Sequence, residues 1–198
     1  MPADAAAIFG RHKFRGRTKW LALRSPECMV ESEDGLRLCH CRALDTTCRR
    51  PMVVTDGTRE LLRIQRPEEN FRLQSMHEGI PCTDNVYVVT DLISNLEVGV
   101  VQKPWLKGVW RDVWIVRNSD WVEVCRVEQS SLVWALIRTF LTALPCRYSV
   151  FHETRRIGTI RRSWYLARLK VSVDLLGDPE TAFDRRLAIA LLVLLLTR

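Results

Sequence analysis

Apolar residues recur at every second position along most of this chain, in paired runs separated by short polar turns. NVYVVTDLISNLEVGVVQK (85–103), RDVWIVRNSDWVEVCRVEQ (111–129) and CRYSVFHETRRIGTIRRS (146–163) are versions of one unit. Each carries an aromatic followed two residues later by valine: Tyr87/Val89, Trp114/Val116, Tyr148/Val150. A polar turn then leads to a second run of the form apolar-small-x-apolar, as in Val98-Gly99-Val100-Val101, Val124-Cys125-Arg126-Val127 and Ile157-Gly158-Thr159-Ile160. Period-two spacing interrupted by Asp, Asn, Ser or Gly is the signature of a β-hairpin. CMVESEDGLRLCHC (28–41) and MVVTDGTRELLRIQ (52–65) are weaker copies, each turning at Asp-Gly. WYLARLKVSVD (164–174) reads as one closing strand, with Tyr165, Ala167, Leu169, Val171 and Val173 on one face and Arg168, Lys170 and Ser172 on the other.

The pattern changes after Asp174. Asp178-Pro179-Glu180 is a helix start: Asp caps the free amides, Pro suits the first turn and Glu suits the positive end of the dipole. A helix over 179–197 would be about 28 Å long. From Leu187 to Leu196 it carries ten apolar residues in a row, about 15 Å, against a bilayer hydrocarbon thickness of about 30 Å. The stretch is too short to span a membrane, yet it is apolar on every face and must be enclosed on every face. Five hairpins and a closing strand amount to roughly ten to twelve strands, many for an open sheet. Closing them around the helix removes both sheet edges and buries it. The predicted fold is therefore mainly β, with one closed antiparallel barrel of about twelve strands around a central helix at 179–197. A further amphipathic helix near 130–144 (SSLVWALIRTFLTALP) caps one end, and the whole chain, 1–198, is a single domain.

Lys plus Arg exceed Asp plus Glu by 30 to 23, and 25 of the 30 are Arg. A basic balance points to an anionic partner, whether phospholipid, nucleic acid or acidic protein. Residues 1–12 read as a flexible arm, and RHKFRGRTK (11–19) fits either a first strand or a basic extension of that arm. The opening residues lack the apolar stretch of a secretory signal, and seven cysteines point to free thiols in a reducing compartment; the expected location is the cytoplasm.

The order of these elements resembles the superfamily that unites tubby C-terminal domains, phospholipid scramblases and LURP-one-related proteins, most closely the short bacterial members of the last two. The resemblance covers about residues 25–197, and its most specific piece runs from YSVFHETRRIGTIRRSW through FDRRLAIALLVLLL. It implies a twelve-stranded barrel around a C-terminal helix. For function it implies binding of phosphoinositides by basic side chains, as in tubby domains, or action on phospholipids with calcium, as in scramblases. The chain departs from the scramblase pattern: it has no Pro-rich arm and no palmitoylation-like cysteine cluster. Where scramblases carry an acidic calcium segment it has DLLGDPETAFD, with Asp174, Asp178, Glu180 and Asp184. Two of these carboxylates suit helix capping, and calcium needs six to eight oxygens, so no metal site and no cofactor are expected.

Candidate chemistry is correspondingly sparse. In Cys39-His40-Cys41 a strand sends His40 to the face opposite the two thiols, which does not suit one zinc ion. No G-x-S-x-G elbow and no Gly-rich phosphate loop occurs, so the expectation is a non-enzymatic binding protein. The densest basic cluster supplies the candidate lipid-headgroup residues Arg155, Arg156, Arg162, Arg168 and Lys170, of which Arg162 joins Arg168 and Lys170 on one outward face if the strand register allows. Lys103 and Lys107 flank Trp105, a candidate membrane contact at the headgroup level. An alternative is a soluble regulatory barrel that binds a protein partner and no lipid. Nucleic acid ranks last, because few aromatics are interleaved with the basic residues.

Overall fold

A computed structural model describes residues 8–18, 27–43, 51–67, 85–104, 112–130, 145–165, 168–178 and 182–197. Twelve strands run through them: β1 (Lys13–Thr18), β2 (Glu27–Ser32), β3 (Arg37–Ala43), β4 (Met52–Thr55), β5 (Glu60–Gln65), β6 (Asn85–Asp91), β7 (Leu96–Lys103), β8 (Val113–Asn118), β9 (Glu123–Gln129), β10 (Cys146–His152), β11 (Arg155–Tyr165) and β12 (Arg168–Asp174). Each pairs antiparallel with its neighbours in sequence, and β1 closes the barrel by pairing with both β2 and β12. The five expected hairpins are β2–β3, β4–β5, β6–β7, β8–β9 and β10–β11. At the Asp-Gly turns, Gly35 (φ 80°) and Gly57 (φ 107°) take backbone angles that side-chain-bearing residues disfavour.

The apolar-small-x-apolar motif is a β-bulge. In every hairpin the register slips next to an inward valine (Val30, Val54, Val89, Val116, Val150). One extra residue on the partner strand fills the slip: Leu38, Leu61, Val98, Val124 or Ile157, and all five join or pack against the core. In two of the five hairpins the residue that follows is a glycine beside a crowded backbone. A Cβ on Gly99 would lie 2.2 Å from the Arg117 carbonyl oxygen, and one on Gly158 would lie 2.4 Å from that of Asp174. Repeated bulges bend and twist each ribbon, which helps the sheet close.

The central helix α1 spans Arg185–Thr197 and lies inside this barrel. Every residue from Leu187 to Leu196 is at most 3% exposed, so the barrel is its enclosure. Among the described residues no helix is long and apolar enough to cross a membrane. The helix starts at Arg185, not at residue 179. Asp184 is its N-cap, its carbonyl accepting from the Ala188 amide (3.1 Å) and its carboxylate from the Arg186 amide (2.8 Å). Asp178 is drawn elsewhere: its carboxylate accepts from the amides of Ala182 (2.9 Å) and Phe183 (3.1 Å) and from Arg185 (2.8 Å).

Two further expectations are corrected. The closing strand begins at Arg168, because Trp164 and Tyr165 complete β11 and Tyr165 pairs with Arg168. The start of the chain is not a free arm through residue 12, since Ile8 is fully buried in the core and Lys13–Thr18 is a strand. The amphipathic helix expected near 130–144 lies outside the described residues, apart from Ser130.

Candidate functional site

Strand parity decides which basic residues share a surface. On β11, Ile157 fills the bulge and Ile160 points into the core, so Arg161 points outward and Arg162 inward. Arg162 pairs across to Cys146 and Val171, both buried, and is itself 9% exposed. It therefore does not join Arg168 and Lys170 on the outer face, as the sequence suggested. That expectation depended on the register between the two strands, and Trp164 and Tyr165 belong to β11, opposite Leu169 and Arg168. Ile160, two residues before Arg162, held the correct signal.

Arg161 stands in Arg162's place. It lies opposite Arg147 on β10 and opposite Ser172 on β12, and Ser172 lies opposite Arg15 on β1. Side chains directly opposite on antiparallel strands have Cβ atoms about 5 Å apart, and those two strands apart about 10 Å. Arg147, Arg161 and Arg15 thus form one outward row, interrupted by a serine hydroxyl. None of the three side chains has an ion-pair or hydrogen-bond partner among the described residues. The next residue in the row, Glu31 on β2, is taken by Arg17. Like charges directly opposite are destabilising on a sheet, so an unneutralised Arg147–Arg161 pair suits an anion lying across it. Lys170, opposite Ser163 and Arg17, and exposed Arg168 extend the row toward the end of the barrel away from the hairpin turns.

A cavity of about 430 Å³ opens beside this row, lined by Gln129, Arg147, Arg161, Arg162, Ser163 and Ser172 among others. Its volume falls within the roughly 300–1,000 Å³ of small-molecule sites. Its described lining holds three arginines and no carboxylate. A shallower trough of about 190 Å³ continues from Arg161 and Ser172 toward Lys13 and Arg15, where Glu33 and Asp174 enter.

Other expected site residues fall elsewhere. Arg155 and Arg156 are exposed at the hairpin end of β11, roughly 20 Å along the strand from Ser163 and the residues around it. Lys103 is engaged: its ammonium lies 2.8 Å from the buried Asp112 carboxylate and 5.2 Å from the centre of the Trp114 ring. Asp112 also accepts from the Tyr148 hydroxyl at 2.9 Å. Trp105 and Lys107 lie outside the described residues.

The acidic residues near α1 are also spoken for. Asp178 binds Arg185, Asp184 binds Arg186, and Asp174 accepts from the Leu176 amide at 3.1 Å; Glu180 is outside the described residues. Among the described residues no three His, Cys, Asp or Glu side chains gather as a metal site. Cys39 and Cys41 face the core while His40 meets the Thr55 hydroxyl. Burial pushes the Cys39 thiol up and that of Cys125 up to about 12, so both stay protonated at neutral pH. Comparison of the chain with protein-family models, with curated proteins and with solved structures finds no match.

Proposed function

We propose that this chain is a non-enzymatic binding protein that recognises anionic phospholipid or phosphoinositide headgroups, acting in the cytoplasm at the inner membrane surface. The barrel around an apolar C-terminal helix supports its resemblance to the tubby, scramblase and LURP-one-related superfamily. The observation that carries the lipid reading is the outward Arg147–Arg161 pair, with Arg15 beyond Ser172 and no carboxylate bonded to these side chains among the described residues. Arginine forks grip phosphate oxygens in pairs, and a rigid sheet holds the forks at fixed spacing.

Co-sedimentation with neutral, phosphatidylserine and phosphoinositide vesicles at low and high salt tests this. The protein pellets with anionic vesicles only, salt releases it, and Arg147→Glu/Arg161→Glu abolishes pelleting with the fold intact. Wild-type protein that ignores every vesicle overturns the reading.

A second reading, a regulatory barrel with a protein partner, is favoured by one specific feature. The exposed large apolar side chains among the described residues are Leu36, Ile93, Leu96, Val122 and Leu176. All five lie in or beside turns at the hairpin end of the barrel. Protein that ignores vesicles would leave this end as the surface to pursue.

A further inference from the structure

Cys146 is set apart from the other described cysteines. Cys28, Cys39, Cys41 and Cys125 are at most 1% exposed, whereas Cys146 is 6% exposed and lines the cavity of about 430 Å³. Its side chain is a thiol. It lies directly opposite Arg162 across β10 and β11, and both point to the inner side of the sheet. Cβ atoms so placed are about 5 Å apart. Arg147 and Arg161 face away on the outer side of these strands and take no part in the pair.

Arg162 lines the same cavity and is 9% exposed. Its whole guanidinium lacks a hydrogen bond or ion pair among the described residues, and the described lining of the cavity holds no carboxylate. The other buried arginine among the described residues, Arg185, also has a buried Nε without a partner. Its terminal nitrogens, however, bind Asp178, the Phe183 carbonyl and His12. A buried guanidinium with no such partners is costly, and a small anion entering the cavity offsets that cost. Arg162 is therefore an anion receptor held next to a sulfur.

We propose that Cys146 is a site of thiol–disulfide exchange with small carboxylate-bearing disulfides, Arg162 holding a carboxylate while the thiol reacts. This goes beyond the lipid reading and does not depend on it. The Cys146 thiolate attacks one sulfur of the disulfide, so a new S–S bond to Cys146 forms and the original one breaks. The Cys146 sulfur is oxidised and the departing sulfur is reduced; the departing thiolate takes up one proton for the one Cys146 released. The mixed disulfide that results is reversed by free thiol. Charge sets the selectivity: an anionic disulfide gives Arg162 a partner, a neutral one gives none and a cationic one is repelled. Burial keeps Cys39 and Cys125 protonated, so they do not compete.

The test treats the full chain with dithiodipropionate (anionic), hydroxyethyl disulfide (neutral) and cystamine (cationic). Peptide mapping by mass spectrometry follows the adduct at Cys146, and each rate is divided by that of a small model thiol. Dithiodipropionate reacts about tenfold or more faster than hydroxyethyl disulfide on that scale, the worth of one charge-assisted hydrogen bond, and cystamine is slowest. Arg162→Met brings the three normalised rates together while Cys146 still reacts with the neutral disulfide.

Cys146 that stays unmodified by all three disulfides overturns the proposal. So does an Arg162→Met protein that keeps the anionic preference. If that variant does not fold, the wild-type comparison decides alone, because equal normalised rates at Cys146 also overturn it.

Discussion

Arg185 and Asp178 meet at 2.8 Å, with their side chains 4% and 2% exposed. The pair ties the first residue of α1 to the segment leaving β12. Arg185 reaches on to His12 at 2.8 Å, and the His12 carbonyl accepts from the Leu175 amide, so β1, β12 and α1 are clasped at one point. Arg185→Met leaves a buried carboxylate without its cation and lowers stability by about 3–5 kcal/mol. Arg185→Met/Asp178→Asn recovers part of that loss. Urea unfolding of the three proteins measures both, and equal stability of the single and wild-type proteins would contradict the clasp.

The same carboxylate sets an acid limit. Burial opposes ionisation of Asp178, but the Phe183 amide, Arg185 and the Ala182 amide outweigh it and hold its pKa below the usual value. Asp91 is also lowered: burial again opposes, and the Ile93 amide, Arg186 and the Ser94 amide prevail. A depressed folded pKa gives stability that is fully present above the unfolded value of about 3.9 and is lost as pH falls through the folded one. Stability from these two groups is therefore flat near neutrality and declines below about pH 4. Asp91→Asn makes that decline shallower, which thermal melts from pH 7 to pH 2 would reveal.

Gly16 faces the helix. A Cβ there would lie 2.4 Å from Leu192 Cδ2 and 2.5 Å from Leu196 Cδ1, both on fully or nearly buried leucines. Gly16→Ala overpacks this contact and costs about 1–3 kcal/mol. Leu192→Ala alone costs about 2–5 kcal/mol by opening a cavity. Their double variant is less destabilised than the sum, because each relieves the other. Strict additivity in denaturant melts would mean that β1 and α1 do not touch as described.

Lys103 separates packing from ligand binding. Lys103→Met keeps the stem over Trp114 but strips Asp112 of its ammonium, and stability falls by about 1–3 kcal/mol. Anionic vesicle binding stays at the wild-type level. A selective loss of vesicle binding would return Lys103 to the site.

The barrel was legible because its causes are local. Period-two alternation fixes which face of a strand is apolar, turn residues fix where the chain reverses, and a helix with no polar face needs an enclosure. Even the bulges are written in the chain: Leu38, Leu61, Val98, Val124 and Ile157 each precede a residue that faces the core, glycine at two of the five sites. The helix start was misjudged because Asp178 and Asp184 are equally good caps in sequence, and only Arg185, folded back from the helix, claims the first for the loop. The site was less legible for a similar reason. Arg161 and Arg162 are adjacent and alike, and assigning Trp164 and Tyr165 to the wrong strand exchanges the outward residue for the buried one. Arg147, Arg161 and Arg15 come from strands far apart in the chain, and only closure of β1 onto β12 sets them in one row. Sequence determines which side of its own strand each residue occupies; the pairing of distant strands decides which charges meet.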